Sequence, residues 1–129
     1  MEAKIQLLQF FICKEFRQEK PDQYTAELVH SNLYARRFPF TLDKLYAVTC
    51  WRKDKRFHKE VIEYAADYGE SARSPHMDIE PVTDHVLFRW HKHFFPTNFM
   101  IKQPAILTVR VILDAKVHFE SYVMIEKAP

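Results

Sequence analysis

The chain has 129 residues, 47% of them hydrophobic and 15% aromatic, with a formal net charge of +2. This length predicts a single domain over residues 1–129, and the apolar content excludes an intrinsically disordered chain. The small net charge does not by itself indicate nucleic-acid binding. Because Gly69 is the only glycine, the glycine-rich loops of nucleotide-binding folds are excluded as well.

The sequence also indicates a compartment. No apolar run approaches the roughly 20 residues of a membrane-spanning helix, and the first residues, MEAK, do not begin a secretory signal. Cys13 and Cys50 lie in apolar runs outside any CxxC motif, so we interpret them as buried thiols of a reducing compartment. We therefore expect a cytoplasmic protein that has no membrane partner.

The first part of the chain favours strands. Residues 4–13 are apolar on both faces toward their end and predict a central strand, whereas the charged residues 14–23 predict a solvated loop. Residues 24–30 alternate and predict a short strand. Residues 33–40 contain a proline and predict an edge strand, while residues 42–52 predict a buried one.

Two periodicities compete in residues 57–68, FHKEVIEYAADY. Apolar residues recur at helical spacing, with Asp54 as an N-cap and Gly69 just past the end. Read as a strand, the same residues place Ile62 and Tyr64 on one face, followed by a turn at Gly69. The local pattern alone favours the helix.

The last part of the chain contains the clearest local structure. Residues 70–81 predict an exposed connection, and residues 86–92 predict a strand. After an apolar loop, residues 105–125 alternate on both sides of Asp114 and predict a β-hairpin. Since the second turn residue is alanine rather than glycine, we expect a loop slightly longer than two residues that includes Lys116.

Four features follow one another in a recognisable order: the first apolar strand, the sequence RFP at residues 37–39, the turn DYG at residues 67–69, and the terminal hairpin. This order resembles a family of small uncharacterised bacterial proteins of about this length that fold as immunoglobulin-like or C2-like β-sandwiches. The chain departs from that family in its near lack of glycine. The resemblance implies a strand at residues 57–67 and no assigned activity.

We therefore predict an all-β chain. The expected architecture is a two-layer antiparallel β-sandwich, immunoglobulin-like or C2-like, of roughly seven to nine strands. The hairpin at residues 105–125 is expected to lie in the centre of one sheet.

His91 and His93 are the main candidates for metal ligands, because alternate residues of a strand point to the same face. His85 lies on that face too. No carboxylate or further ligand is spaced to complete a site, so solvated or edge-strand histidines are the preferred explanation of the pattern. We expect no bound metal and no cofactor, and we keep a metal-dependent enzyme that uses His91 and His93 as an alternative.

Other catalytic groups find little support in the sequence. Cys50, His58 and Asp54 can be combined on paper into a nucleophile and its base, but no nucleophile elbow surrounds them. Glu60 and Glu63 are spaced like solvent-facing residues. We therefore predict a protein without catalytic activity.

Segments 51–59 and 89–95 interleave basic and aromatic residues, a combination with which proteins bind single-stranded nucleic acids. Aromatic residues at alternate strand positions are ordinarily core residues, however, and the acidic residues almost cancel the charge. Nucleic-acid binding is therefore an alternative and not our main prediction.

Two apolar loops carry phenylalanines, Phe38 and Phe40 in the first and Phe94, Phe95 and Phe99 in the second. These side chains either form an exposed interaction patch or fold inward and fill the core. Our main prediction is a non-catalytic interaction or scaffold module with an unidentified protein partner. We also expect a homodimer, formed through a sheet edge or through these loops.

Overall fold

The computed structural model describes residues 4–21, 23–42, 44–83 and 85–129. These residues form twelve β-strands and no helix, which confirms the prediction of an all-β chain. Within this described part, no helix offers the length and apolarity that crossing a membrane requires. The first three residues, on which the expectation about a secretory signal partly depends, lie outside the described residues.

Seven strands are seven residues or longer, and five are short. The long strands are β1 (Gln6–Lys20), β2 (Gln23–Val29), β5 (Tyr46–Arg52), β6 (His58–Ala66), β9 (Phe88–Phe94), β11 (Ala105–Leu113) and β12 (Lys116–Lys127). The short strands are β3 (Asn32–Ala35), β4 (Phe40–Thr41), β7 (Ser71–Arg73), β8 (Met77–Ile79) and β10 (Met100–Ile101).

The strands form two large sheets and one small one. The first large sheet has the order β2-β1-β5-β9 and is antiparallel throughout. The second has the order β3-β12-β11-β6-β7, with β8 also paired to β6, and its β3 runs parallel to β12. Strands β4 and β10 pair with each other. The predicted hairpin is β11 with β12, and it lies in the middle of the second sheet.

Side chains of both large sheets meet in one hydrophobic core. Strict alternation along the strands turns every second residue toward this core, where burial of a large apolar side chain stabilises the fold by roughly 1.5–3 kcal/mol. Its largest fully buried members include Trp51 of the first sheet and Tyr64, Ile62, Leu107 and Ile125 of the second. The inner faces of the two sheets therefore enclose the residues that the site below uses.

A smaller cluster covers the opposite face of the first sheet, around Cys13, Phe16 and Val48. Cys13 and Cys50 are both buried, and burial raises the pKa of each thiol, that of Cys50 to about 11. Cys13 lies opposite Tyr46 in the strand pairing, whereas Cys50 lies opposite Gln9. The two thiols are therefore well separated along the sheet.

Strand β6 decides between the two periodicities of residues 57–68. Its buried residues alternate strictly: His58, Glu60, Ile62, Tyr64 and Ala66. The helix that the local pattern favours is therefore wrong, and the strand that the resemblance implies is confirmed. The reason is tertiary, since β6 pairs with β11, β7 and β8.

Two local expectations are wrong. The charged residues 14–20 continue β1 instead of forming a loop, because they pair with β2 and Arg17 forms an ion pair with Glu27 at 3.0 Å. The hairpin loop has only two residues, since Lys116 already pairs with Leu113. Asp114 and Ala115 both have positive φ, 51° and 69°, as the tightest hairpin turns require.

Candidate functional site

The most unusual residue of the core is Glu60, a fully buried acidic residue of β6. It shares the inward face of β6 with Ile62 and Tyr64, and its side chain reaches across to β5 and β9 of the other sheet. Strands β5 and β9 are neighbours, and their register places Thr49 opposite His91. Glu60 therefore meets side chains that the two strands present together.

Four side chains donate hydrogen bonds to the Glu60 carboxylate. The Trp51 indole N–H lies 2.8 Å from Oε2, and the Thr49 hydroxyl lies 3.1 Å from Oε1. The same Oε1 lies 2.6 Å from Nδ1 of His91 and 2.9 Å from Nε2 of His93. The carboxylate is thus held from both sides, and we call Glu60, His91 and His93 the core triad.

Glu60 is negatively charged in the folded protein. Burial raises the pKa of its carboxyl group, but hydrogen bonds from His91 and His93 outweigh burial and lower the pKa to about 2. A carboxylate in an apolar core is strongly destabilising unless hydrogen bonds replace its lost hydration. The four donors provide that replacement.

Two buried polar atoms beside this network have no hydrogen-bond partner. They are Nδ1 of His93 and the hydroxyl of Tyr64. Both residues are fully buried, and burial together with the charge of Glu60 raises the pKa of Tyr64, so its hydroxyl stays protonated. Unpartnered buried polar atoms are rare in folded proteins.

The core triad has the composition of a metal site. One nitrogen of each histidine and one carboxylate oxygen of Glu60 all lie within 4.8 Å of one another. Two imidazoles and one carboxylate are a common ligand set for zinc and for iron. Among the described residues, this is the group of histidine, cysteine and acidic side chains whose geometry suits a metal ion.

A second cluster, the rim cluster, consists of Asp54, His58 and Asp114. Nε2 of His58 lies 2.8 Å from Asp54, and Nδ1 lies 2.6 Å from Asp114. Backbone N–H groups of Arg56 and Lys59 donate to the two aspartates as well. The three side chains therefore form a closed network at the end of the β11–β12 hairpin.

Each member of the rim cluster has a shifted pKa. Burial lowers the pKa of His58, but hydrogen bonds to Asp114 and Asp54 outweigh it, and the net pKa is raised. Burial raises the pKa of both aspartates, and hydrogen bonds, including those from His58, more than reverse the change. The cluster favours a protonated His58 between two carboxylates.

The structure brings together two of the three histidines that the sequence singles out. His91 and His93 meet at Glu60, whereas His85 lies before β9 on an exposed stretch. The interpretation of Glu60 as solvent-facing is wrong, because the residue is buried. Glu63 does lie on the outer face, where it pairs with Arg73 and Arg110. The detectable signal was that Glu60 shares its strand face with apolar residues.

The phenylalanines of the two loops do not form one exposed patch. Phe95 and Phe99 lie in the core, Phe38 and Phe40 are half-buried against it, and Phe94 is 61% exposed. The inward alternative therefore holds for Phe95 and Phe99.

Both tryptophans of the two basic segments pack against other residues of the fold. Trp51 is fully buried, and Trp90 stacks on Phe16 at 5.6 Å between ring centroids.

His58 and Asp54 are paired, as a catalytic arrangement would need, but Cys50 lies on the opposite face of β5 from Thr49 and Trp51. The three residues are not brought together.

One flank of the fold leaves strand edges open. Strand β3 pairs with β12 only at Met124 to Lys127, so residues 116–123 have no second neighbouring strand within the described part of the chain. Apolar side chains are exposed here, with Val117 at 55% and Phe119 at 40%. The rings of Phe119 and Phe10 of β1 pack together with their centroids 5.4 Å apart, and this contact joins the two sheets at this flank.

A row of alternating charges ends at the same edge. Across the outer face of the second sheet, Arg73 pairs with Glu63 at 2.9 Å, Glu63 with Arg110 at 2.9 Å, and Arg110 with Glu120 at 3.1 Å. Each pair joins residues that lie directly opposite each other on neighbouring strands. The row therefore runs from β7 to β12 and ends in a negative charge at the open edge.

The comparisons with known proteins give no relative. No protein-family model matches the chain, and neither a curated protein nor a solved structure matches it.

Proposed function

We propose that the protein is a non-catalytic interaction module that pairs with a second copy of itself along the open edge of β12. The observation that carries this proposal is the charge row that ends at Glu120. An added strand with a cation opposite Glu120 would continue the alternation of arginine and glutamate. Opposite charges on directly facing strand positions stabilise a sheet, and like charges destabilise it.

Two cations of β12, Lys116 and His118, precede Glu120 by four and two residues, and an antiparallel second copy of β12 would bring them toward Glu120 across the edge. The strand has a β-bulge at His118, since Val117 and Phe119 lie opposite the consecutive residues Ile112 and Val111, so the bulge sets which of the two cations meets Glu120. Such a two-fold arrangement places the same surface on both subunits, and it would cover Val117 and pair the open backbone groups.

The fold type supports this role. We infer that the two large sheets form a two-layer sandwich, because their inner side chains share one core. The immunoglobulin-like or C2-like type, the bacterial family, the cytoplasmic location and the lack of enzymatic activity stay predictions. Nucleic-acid binding is less favoured, because Trp51 and Phe95 of the basic segments are core residues.

Sedimentation of the full chain at tens of micromolar tests the proposal. We expect a dimer that Val117→Asp converts to a monomer, because a carboxylate at the edge faces a desolvated partner strand. Phe94→Asp is the matched control, since Phe94 is also exposed but belongs to the other predicted interface. A dimer that Phe94→Asp breaks and Val117→Asp leaves intact would move the interface to the loops. A monomeric parent protein would contradict the proposal.

A further inference from the structure

Two of the three potential ligand atoms of the core triad, the imidazole nitrogens, converge on the third, a carboxylate oxygen of Glu60. Both imidazoles approach the same oxygen of Glu60, at 2.6 Å from His91 and 2.9 Å from His93. The two rings lie at 89° to each other with centroids 5.7 Å apart, so they approach that point from different directions. Ligand atoms of one bound metal ion are similarly separated by about 3 Å, because each lies about 2.0–2.2 Å from the ion.

We infer that the core triad binds a divalent transition-metal ion such as Zn²⁺. The ligand atoms are Nδ1 of His91, Nε2 of His93 and a carboxylate oxygen of Glu60. Each imidazole then carries its proton on its other nitrogen, and the ion takes the place of the two hydrogen bonds from the imidazoles to Oε1, while that from Thr49 remains. Three protein ligands leave the fourth position of a tetrahedral ion to a water molecule.

The ligand types select the class of metal. Imidazole nitrogen suits zinc, copper, nickel and iron, whereas calcium and magnesium prefer sets of oxygen ligands. With one carboxylate and two neutral imidazoles, the site has a single negative charge that a divalent cation more than balances. His91 is the member nearest to solvent, since 10% of its side chain is exposed while His93 and Glu60 are fully buried. The ion and its water molecule would therefore enter from the side of His91.

The surrounding residues hold the ligands in place. Trp51 donates to the carboxylate oxygen that His91 and His93 do not contact, and Thr49 donates to the other oxygen. Such outer partners orient the ligands of metal sites and strengthen binding. The two ligand histidines are alternate residues of β9, which is paired along its length with β5, so a regular strand fixes their spacing.

This inference goes beyond the proposed function and is independent of it. The core triad lies between the sheets, whereas the proposed dimer forms at the edge of β12. A protein that binds zinc as a monomer would support the metal site and contradict the proposed dimer.

The direct experiment is a calorimetric titration of the full chain with Zn²⁺ after treatment with a chelator. We expect one zinc ion per chain and a rise in the thermal unfolding midpoint of about 5–10 °C at saturation, because the ion binds only the folded state. Absence of binding at micromolar zinc, or binding without a rise in the midpoint, would overturn the inference.

Glu60→Gln is the matched variant, since it keeps the shape of the side chain and removes its charge. The expected loss of zinc affinity exceeds the roughly 10–100-fold that removal of an outer partner causes. His85→Ala removes an exposed histidine near β9 and should bind zinc like the parent protein. A loss in His85→Ala, or none in Glu60→Gln, would mean surface binding and would contradict the site.

X-ray absorption at the zinc edge decides the matter if Glu60→Gln does not fold. The parent protein is expected to show two imidazole neighbours around the ion. One imidazole or none would overturn the inference, because the structure offers His91 and His93 together.

Discussion

The core triad and the rim cluster use the same two chemical groups in opposite proportions. The core triad has one carboxylate and two imidazoles, buried between the sheets. The rim cluster has one imidazole and two carboxylates at the end of a hairpin, where 48% of the Asp114 side chain is exposed. Both share strand β6, which contributes Glu60 to one and His58 to the other.

The ratio of imidazoles to carboxylates decides whether each cluster can hold a proton or a metal ion. In the rim cluster both nitrogens of His58 face carboxylates, so each must donate a proton and none is left for a metal ion. In the core triad two imidazoles face one oxygen, and a metal ion can replace their protons there. The first arrangement therefore favours a proton and the second a metal ion.

The largest effect is expected where the core triad loses its carboxylate. Glu60→Ala should lower the free energy of unfolding by about 3–5 kcal/mol, because it leaves the buried donors around it without an acceptor. Urea denaturation of the metal-free protein measures this. Glu63→Ala is the control on the same strand, and loss of its partly exposed ion pairs with Arg73 and Arg110 should cost no more than about 1 kcal/mol. Equal effects of the two substitutions would show that Glu60 is not held as described.

Glu60 also shows where sequence reasoning reached its limit. The hairpin of β11 and β12 was predictable because its alternation is local, and His91 and His93 were correctly placed on one face. The carboxylate that completes the site lies 31 residues before His91. It becomes recognisable only when residues 57–68 are read as a strand, and long-range pairing with β11 decides that reading. Local periodicity cannot supply this information.

The rim cluster should give a smaller, pH-dependent effect. His58→Gln is expected to lower the free energy of unfolding by about 1–2 kcal/mol near pH 5, because it removes a charged hydrogen-bonded group that is only partly screened by water. His76→Gln serves as the control, since His76 forms an exposed pair with Asp78 at 3.7 Å. Urea denaturation across a pH series measures both variants.

The direction of the pH dependence follows from the shifted pKa values. The pKa of His58 is raised above 6.5, so its contribution is complete below pH 6.5 and is lost as the pH rises through the folded-state value. The pKa values of Asp54 and Asp114 are lowered below 3.8, so their contribution is present above pH 3.8 and is lost as the pH falls further. The difference between parent and His58→Gln should therefore be largest between these limits. A difference that grows toward pH 9 would contradict the rim cluster.

The smallest expected effect concerns the turn that carries Asp114. The sequence suggested a longer loop because alanine is unfavourable at positive φ, but Asp114 compensates by accepting the Lys59 N–H at 2.9 Å. Ala115→Gly should therefore raise the free energy of unfolding by about 0.5–1 kcal/mol, since glycine adopts this conformation without strain. Its pH dependence should equal that of the parent protein. A destabilised variant would show that the turn is not strained at Ala115.

Nitrogen NMR of the histidine rings, recorded with an NMR-active cadmium ion in place of zinc, tests the contrast between the two clusters in one measurement. The account predicts metal coupling at Nδ1 of His91 and at Nε2 of His93 near pH 7, while His58 shows no metal coupling there and is protonated on both nitrogens near pH 5. Coupling at His58, or its absence at either His91 or His93, would contradict the assignment of the metal ion to the core triad and of the proton to the rim cluster.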